Sequence, residues 1–179
     1  GAPDSWLTAL QMHGTMTFED VAHSAIDYAK NGFVTDPMMA LTIKRKLADF
    51  PVGTAAAKIF LPDGKPPEPG DVFVQSDLAR TFEYLVGEER AARKRGRDAG
   101  IDAVRDAVYR GDLAKTFVDF QRENGGLLEA DDLANYRVTI DEPVTVNFRG
   151  IDVYACGPWC QRLMLLQILK ICDALGVDK

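Results

Sequence analysis

The sequence predicts an α+β fold that is mainly helical: a helical lobe followed by an antiparallel β-hairpin. Three observations carry this. Apolar residues recur three and four apart in most stretches up to Phe120, which is the helical period. Gly125-Gly126 then interrupts the pattern, because glycine enters the left-handed conformation without a Cβ clash. Beyond it, Val138, Ile140, Val144 and Val146 alternate with polar residues, and Arg149-Gly150 offers a tight turn into the alternating run Ile151 to Cys156.

Taken in order, Asp4 or Ser5 is expected to cap a first helix with Trp6, Leu7 and Leu10 on one side and Gly14 as its stop. Thr17-Phe18-Glu19-Asp20 has capping-box spacing, with Asp20 in place of the usual Glu or Gln. A second helix carrying Val21, Ala25, Ile26 and Ala29 therefore runs to Asn31-Gly32. Thr35-Asp36-Pro37 places a capping residue before a proline, predicting a third helix from Pro37 towards Leu47, stopped by Pro51. Leu61 to Gly70 holds four prolines and two glycines and reads as a loop. A helix from Asp77, with Leu78, Phe82 and Leu85, is expected to end near Gly87. The basic cluster Arg90, Arg93, Lys94, Arg95 and Arg97 has no aromatic interleaved and reads as a solvated helix face, its role otherwise open. Ile101, Val104 and Val108 resume the helical period, and Leu113, Phe117 and Phe120 continue it past Gly111. Asp131 and Asp132 are expected to cap a one-turn helix through Leu133 and Ala134, and Pro143 belongs at a strand start. Leu163 to Leu175 predicts a last helix buried on most sides.

The chain of 179 residues, 46% hydrophobic and 27% charged, is read as one domain over 1–179 with enough apolar residues for a core. A net charge of −6, from 27 acidic and 21 basic residues, argues against a nucleic-acid partner. No apolar run reaches the roughly 18 residues of a membrane span, so no membrane partner is expected. The opening Gly1-Ala2-Pro3-Asp4 has no basic region followed by an apolar one, so location stays open between periplasm and cytoplasm. Cys156, Cys160 and Cys172 are odd in number and are expected to be free, buried like small hydrophobes. No cofactor or metal is expected, since His13 and His23 are far from the cysteines.

Nor is a catalytic or substrate-binding residue assigned. Gly53-Thr54 lacks the glycine pattern and the Lys-Ser/Thr of a phosphate loop, and Ser5, Ser24 and Ser76 sit in or at the mouth of helices instead of in a Gly-x-Ser-x-Gly elbow. His13 and His23 read as packing or surface residues, and Glu19-Asp20 and Asp131-Asp132 as helix N-termini.

The order of short motifs is more informative. His13-Gly14-Thr15-Met16, Ala29-Lys30-Asn31-Gly32-Phe33, Leu61-Pro62-Asp63-Gly64, Pro69-Gly70-Asp71, Asp77-Leu78-Ala79, Tyr109-Arg110-Gly111, Gly125-Gly126-Leu127-Leu128, Asp132-Leu133-Ala134-Asn135-Tyr136 and Phe148-Arg149-Gly150 together resemble the gamma-glutamyltranspeptidase family. They match the middle to late part of its large subunit. The resemblance implies an N-terminal-nucleophile hydrolase with an αββα sandwich that the hairpin would join. A precursor of that class cleaves itself before a threonine, whose hydroxyl attacks a gamma-glutamyl amide while its own amine acts as base.

The implied partners are the small-subunit portion of the same precursor and a small gamma-glutamyl substrate such as glutathione. The threonine and the arginine that grips the substrate carboxylate belong to parts of the family outside this sequence, so Arg45, Arg80, Arg110, Arg137 and Arg149 inherit neither role, and the chain alone is expected to be inactive. Two departures stand out. Trp159-Cys160-Gln161-Arg162 replaces a glycine-containing stretch and resembles the family's transpeptidase-like branch more than the glutathione enzymes. An insertion around Arg90 to Arg105 is expected only to lengthen a surface helix. Alternative readings are a beta-lactam acylase, cephalosporin or glutaryl, with the same nucleophile, and a non-catalytic scaffold that kept the helical lobe. The hairpin 137–156 is also a candidate for self-association, because unpaired strand edges accept other chains.

Overall fold

A computed structural model describes residues 1–51 and 53–177. It is mainly helical with small antiparallel sheets, as predicted. The chain divides into two compact units, Gly1–Tyr136 and Arg137–Lys179.

In the first unit, helix α1 (Ala2–His13) is followed by α2 (Phe18–Asn31), β1 (Phe33–Val34) and α3 (Pro37–Arg45). The caps of α2 and α3 are those written in the sequence, whereas α1 starts earlier than expected, with Gly1 as its N-cap in place of Asp4 or Ser5. Thr17 Oγ1 accepts from the Asp20 N–H, and the Asp20 carboxylate accepts from the Thr17 N–H at 2.9 Å. The Asp36 carboxylate accepts from the N–H groups of Met38 and Met39 at 2.8 and 3.0 Å, with Pro37 opening the helix. Gly32 ends α2 with φ of 85°, and a Cβ there would come within 2.5 Å of Val72. That close approach lets β1 pair with β2 (Val72–Phe73), Phe33 opposite Phe73 and Val34 opposite Val72. The ribbon was not legible in the sequence, since two residues cannot display an alternation.

Helix α4 (Ala55–Phe60) was also missed; its start is set by Thr54, whose hydroxyl accepts from the Ala57 N–H. It forms a small core of Ile43, Ala57 and Leu61, against which Phe50 and Phe60 pack. Helix α5 (Ser76–Ala92) does not end near Gly87 but runs through it. Nothing lies within 4 Å of a Cβ at Gly87, so this glycine is a tolerated interior residue rather than a stop. Helices α6 (Arg97–Tyr109) and α7 (Asp112–Glu123) replace the continuous period expected past Gly111. The N–H groups of Arg110 and Gly111 both turn back to the Asp106 carbonyl at 2.7 Å, closing α6. The one-turn helix α8 (Ala130–Ala134) starts at least two residues earlier than expected: Glu129 is its N-cap, and Asp132 accepts from the Glu129 N–H. The main core joins Leu7, Leu85, Ile101, Val104 and Ala107 from α1, α5 and α6.

In the second unit, β3 (Val144–Phe148) and β4 (Ile151–Ala155) form an antiparallel hairpin in the register Val144–Ala155 to Phe148–Ile151. Arg149 and Gly150 supply its turn with φ of 54° and 85°, the left-handed pair that matches strand twist. Val138 and Ile140 lie outside any strand, so the hairpin begins only after Pro143. Helix α9 (Arg162–Ala174) buries Leu166 alone; Met164, Leu165, Ile168 and Ile171 are exposed, correcting the expectation of burial on most sides. Its apolar composition exceeds what the short hairpin beneath it covers. The three cysteines are free and partly buried.

Thr35, on the link from β1 to α3, is 1% exposed, and its hydroxyl has no hydrogen-bond partner. An unsatisfied buried hydroxyl costs about 1–3 kcal/mol, whereas valine has the same shape without it. Thr35→Val is therefore expected to raise the urea midpoint, by about 1 kcal/mol of stability; a lowered midpoint would show that the hydroxyl is bonded.

Candidate functional site

The polar residues of the first unit converge on three junctions between helices, and none of the three was foreseen. Asp4, expected as a cap, lies in the first turn of α1 and is fully buried. Arg105, inside the segment expected to be surface, is also buried, and its Nε donates to the Asp4 carboxylate at 2.6 Å. The rest of the guanidinium donates to Asp102 and to Gln11 Oε1 at 3.1 Å. The Asp4 N–H donates to the Tyr109 hydroxyl at 3.2 Å, and the Tyr109 ring stacks on Tyr136 at 5.6 Å between centroids. Burial pushes the Tyr109 hydroxyl above its ordinary pKa, so it stays protonated at neutral pH.

At the second junction, fully buried Glu89 on α5 accepts from the N–H groups of Phe18 and Glu19 at 2.7 and 2.8 Å. A carboxylate there meets two otherwise unpaired donors and the positive end of the α2 dipole. Gly100 makes room for it, since a Cβ at that position would lie 2.9 Å from Glu89 Cγ. At the third, Arg97 donates to the carbonyls of Leu10, Gly14 and Met16 at 2.5, 2.8 and 2.9 Å, satisfying the C-terminal end of α1. Arg90 and Arg93 pair with Glu19, and the Arg90 hydrogen bond holds the Glu19 carboxyl below the usual range. Thr17 does the same for Asp20.

The basic cluster is thus the exposed face that was expected in Arg90, Arg93, Lys94 and Arg95, with Arg90 and Arg93 reaching across it to Glu19, and only Arg97 turns partly inwards, onto the end of α1. The segment Arg90 to Arg105 does more than lengthen a helix, since Arg97 and Arg105 both bond to α1 or the turn after it. Its signal in the sequence was the charge alternation Glu88-Glu89-Arg90, which does not say which acid turns inwards.

The residues weighed for chemistry fall elsewhere. His13 and His23 are exposed on α1 and α2, and Ser24 and Ser76 are exposed on α2 and α5. Ser5 donates to the Gly1 carbonyl. Arg80 pairs with Asp77, Arg110 with Asp106 and the Ala134 carbonyl, and Arg149 lies 4.8 Å over the Phe148 ring. Among the described residues no cluster of three metal-ligating side chains forms. No helix of the described residues is long and apolar enough to cross a membrane.

What the three junctions leave open is an apolar groove of about 420 Å³ between α1, α2, α5, α6 and α7. Leu10, Phe18, Phe82 and Leu113 line it, and Trp6, Val21 and Phe117 stand at its mouth, 70%, 49% and 54% exposed. Such a surface binds by desolvation and offers no group for acid, base or nucleophilic chemistry.

A family model described as gamma-glutamyltranspeptidase matches residues 1–179. The chain is 35% identical over 175 residues to the glutathione hydrolase proenzyme of Bacillus subtilis, covering 96% of this chain and 27% of that protein. It is 33% identical over 158 residues to the acylase ACY 1 proenzyme of a Pseudomonas species, covering 88% and 26%. The crystal structure of cephalosporin acylase from Bacillus halodurans superimposes with a TM-score of 0.80 at 26% identity, over 97% of this chain and 31% of that one. The chain spans about a quarter of the length of the curated relatives it matches.

Removing one partner of a buried pair strands the other charge, at a cost of about 3–5 kcal/mol. Arg105→Ala is expected to lower stability by that amount in urea unfolding, and Arg105→Met with Asp4→Leu to recover most of it. A loss below about 1 kcal/mol, the level of an exposed pair, would mean that the pair is solvated.

Proposed function

Because this chain belongs to the gamma-glutamyltranspeptidase family, as a segment of its large subunit, we propose that it works within an enzyme of gamma-glutamyl transfer or hydrolysis. Both units, residues 1–179, are assigned to one domain of that subunit. The observation that carries this reading is the match to the family along the whole chain, with 35% identity to a glutathione hydrolase proenzyme. The nucleophilic threonine lies outside this chain, on the small-subunit portion of the same precursor. Its hydroxyl attacks the gamma-glutamyl carbonyl, its amine takes the proton, and water or an acceptor amine releases the acyl group.

The segment's own part is architectural. Its charged side chains that reach the interior are committed to Asp4–Arg105, Glu89 and Arg97, which supports a lobe that positions other elements rather than one that reacts. In the intact αββα sandwich the hairpin β3–β4 extends a sheet.

A second reading, acylase action on a beta-lactam side chain, has its own support. Acylase ACY 1 is 33% identical and cephalosporin acylase shares the fold. Trp159-Cys160-Gln161-Arg162 also departs from the glycine-containing stretch of the glutathione enzymes, and Trp159 donates to Asp141 at 3.1 Å, fixing that bend. The third reading, a non-catalytic scaffold, has no such particular observation.

Purified precursor containing this chain is expected to release the chromophore from a gamma-glutamyl anilide, and residues 1–179 alone to match a heat-killed control. Turnover of glutaryl-7-aminocephalosporanic acid but not of the anilide would favour the acylase, and turnover by the isolated chain would overturn the architectural role.

Among the described residues β3 and β4 pair only with each other, so each leaves one edge open, with Ile151 and Tyr154 exposed on β4. Open edges with apolar neighbours associate. Residues 1–179 alone therefore self-associate through the hairpin 137–156. Sedimentation velocity over a concentration series is expected to show dimers or larger species; a concentration-independent monomer would refute it.

A further inference from the structure

We infer that the groove between α1, α2, α5, α6 and α7 is the seat of an apolar helical segment from the part of the same precursor that lies outside residues 1–179. The inference rests on the reading above, that the chain works inside a longer family member.

The chemistry of the groove excludes most other occupants. Of its lining residues Thr81 alone is polar, and its hydroxyl already donates to the Asp77 carbonyl at 2.9 Å. Sites for small molecules add a few convergent polar groups to fix orientation, and this one has none to spare. A charged or polar ligand would be desolvated without compensation. The volume, about 420 Å³, suits a few large aliphatic or aromatic side chains. Amphipathic helices present such anchors three, four and seven apart to apolar grooves.

The mouth points the same way. Trp6, Val21 and Phe117 come from three different helices, α1, α2 and α7, and stand exposed around one opening. The helices of Trp6 and Val21 are held from behind by the Asp4–Arg105 and Glu89 junctions, so that side of the groove is preformed and a partner binds without first ordering it. An apolar opening rimmed by three large side chains marks an interaction surface.

The source of the occupant follows from the length of the relatives. They are proenzymes of which the matched region is about a quarter, so some three quarters of such a polypeptide is translated in the same chain. A tethered segment is present at an effective concentration that a separate protein rarely reaches.

The test uses the full precursor with p-benzoylphenylalanine in place of Val21 and, in a second preparation, in place of Phe117; both positions are exposed, so the lobe folds. Irradiation followed by peptide mapping is expected to join each position to one apolar segment outside residues 1–179. Hydroxyl-radical oxidation of Trp6 in the unmodified precursor is expected to fall several-fold against the same residue in isolated 1–179. Crosslinks to residues 1–179 of a second copy, crosslinks to no peptide, or a Trp6 as reactive in the precursor as in the fragment would each overturn the inference. Anilide turnover is read on the same preparations. Loss of turnover with the crosslink intact removes the proposed activity and leaves the groove's occupant standing; the reverse result removes only the occupant.

Discussion

The buried contact between Asp4 and Arg105 is the constraint on which the helical lobe depends. It ties the first turn of α1 to the middle of α6 across about a hundred residues of chain, and the Tyr109 hydroxyl and Gln11 close around it. A buried ion pair adds little net stability, because desolvation offsets most of the attraction, but a mispaired one is severely penalised. The pair therefore selects the register of α1 on α6 more than it strengthens it. The apolar contacts of Leu7, Leu85, Ile101, Val104 and Ala107 provide the bulk of the cohesion once that register is set.

Glu89 and Arg97 extend the same logic to helix ends. One carboxylate closes the N-terminal donors of α2 and one guanidinium closes the C-terminal acceptors of α1. Backbone groups at the two ends of consecutive helices are thus satisfied by residues from α5 and from the start of α6, far along the sequence. The linker His13 to Thr17 is held by these partners rather than by its own composition. The consequence for chemistry is direct: charges spent on backbone groups are not free to move protons or grip a substrate. What a lobe built this way presents is shape and an apolar face.

Several of the elements were legible for a plain reason: their signals fit within a few residues. Thr17 with Asp20, Asp36 with Pro37, Asn31-Gly32, and Arg149-Gly150 each encode a cap or turn locally, and each appears where expected. The family resemblance was legible too, because motifs in a fixed order survive without any knowledge of contacts. Errors gathered where local and distant terms compete. Gly87 looked like a stop, yet tertiary packing of α5 carries the helix through it; Val138 and Ile140 alternate, yet lie outside the strands of the hairpin.

The sequence by itself determined the helical lobe, the hairpin, the caps of α2 and α3 and the family, since periodicity, turn residues and motif order are properties of neighbours along the chain. Only the tertiary structure decided which charges turn inwards. Glu88 and Glu89 are alike as residues, as are Arg95 and Arg97, but desolvation allows a charge to turn inwards only where a partner of opposite sign or an unpaired backbone group waits, and those groups, the N–H groups of Phe18 and Glu19 for Glu89 and the Leu10 and Gly14 carbonyls for Arg97, come from stretches far away in sequence, while Arg90 and Arg93 stay exposed.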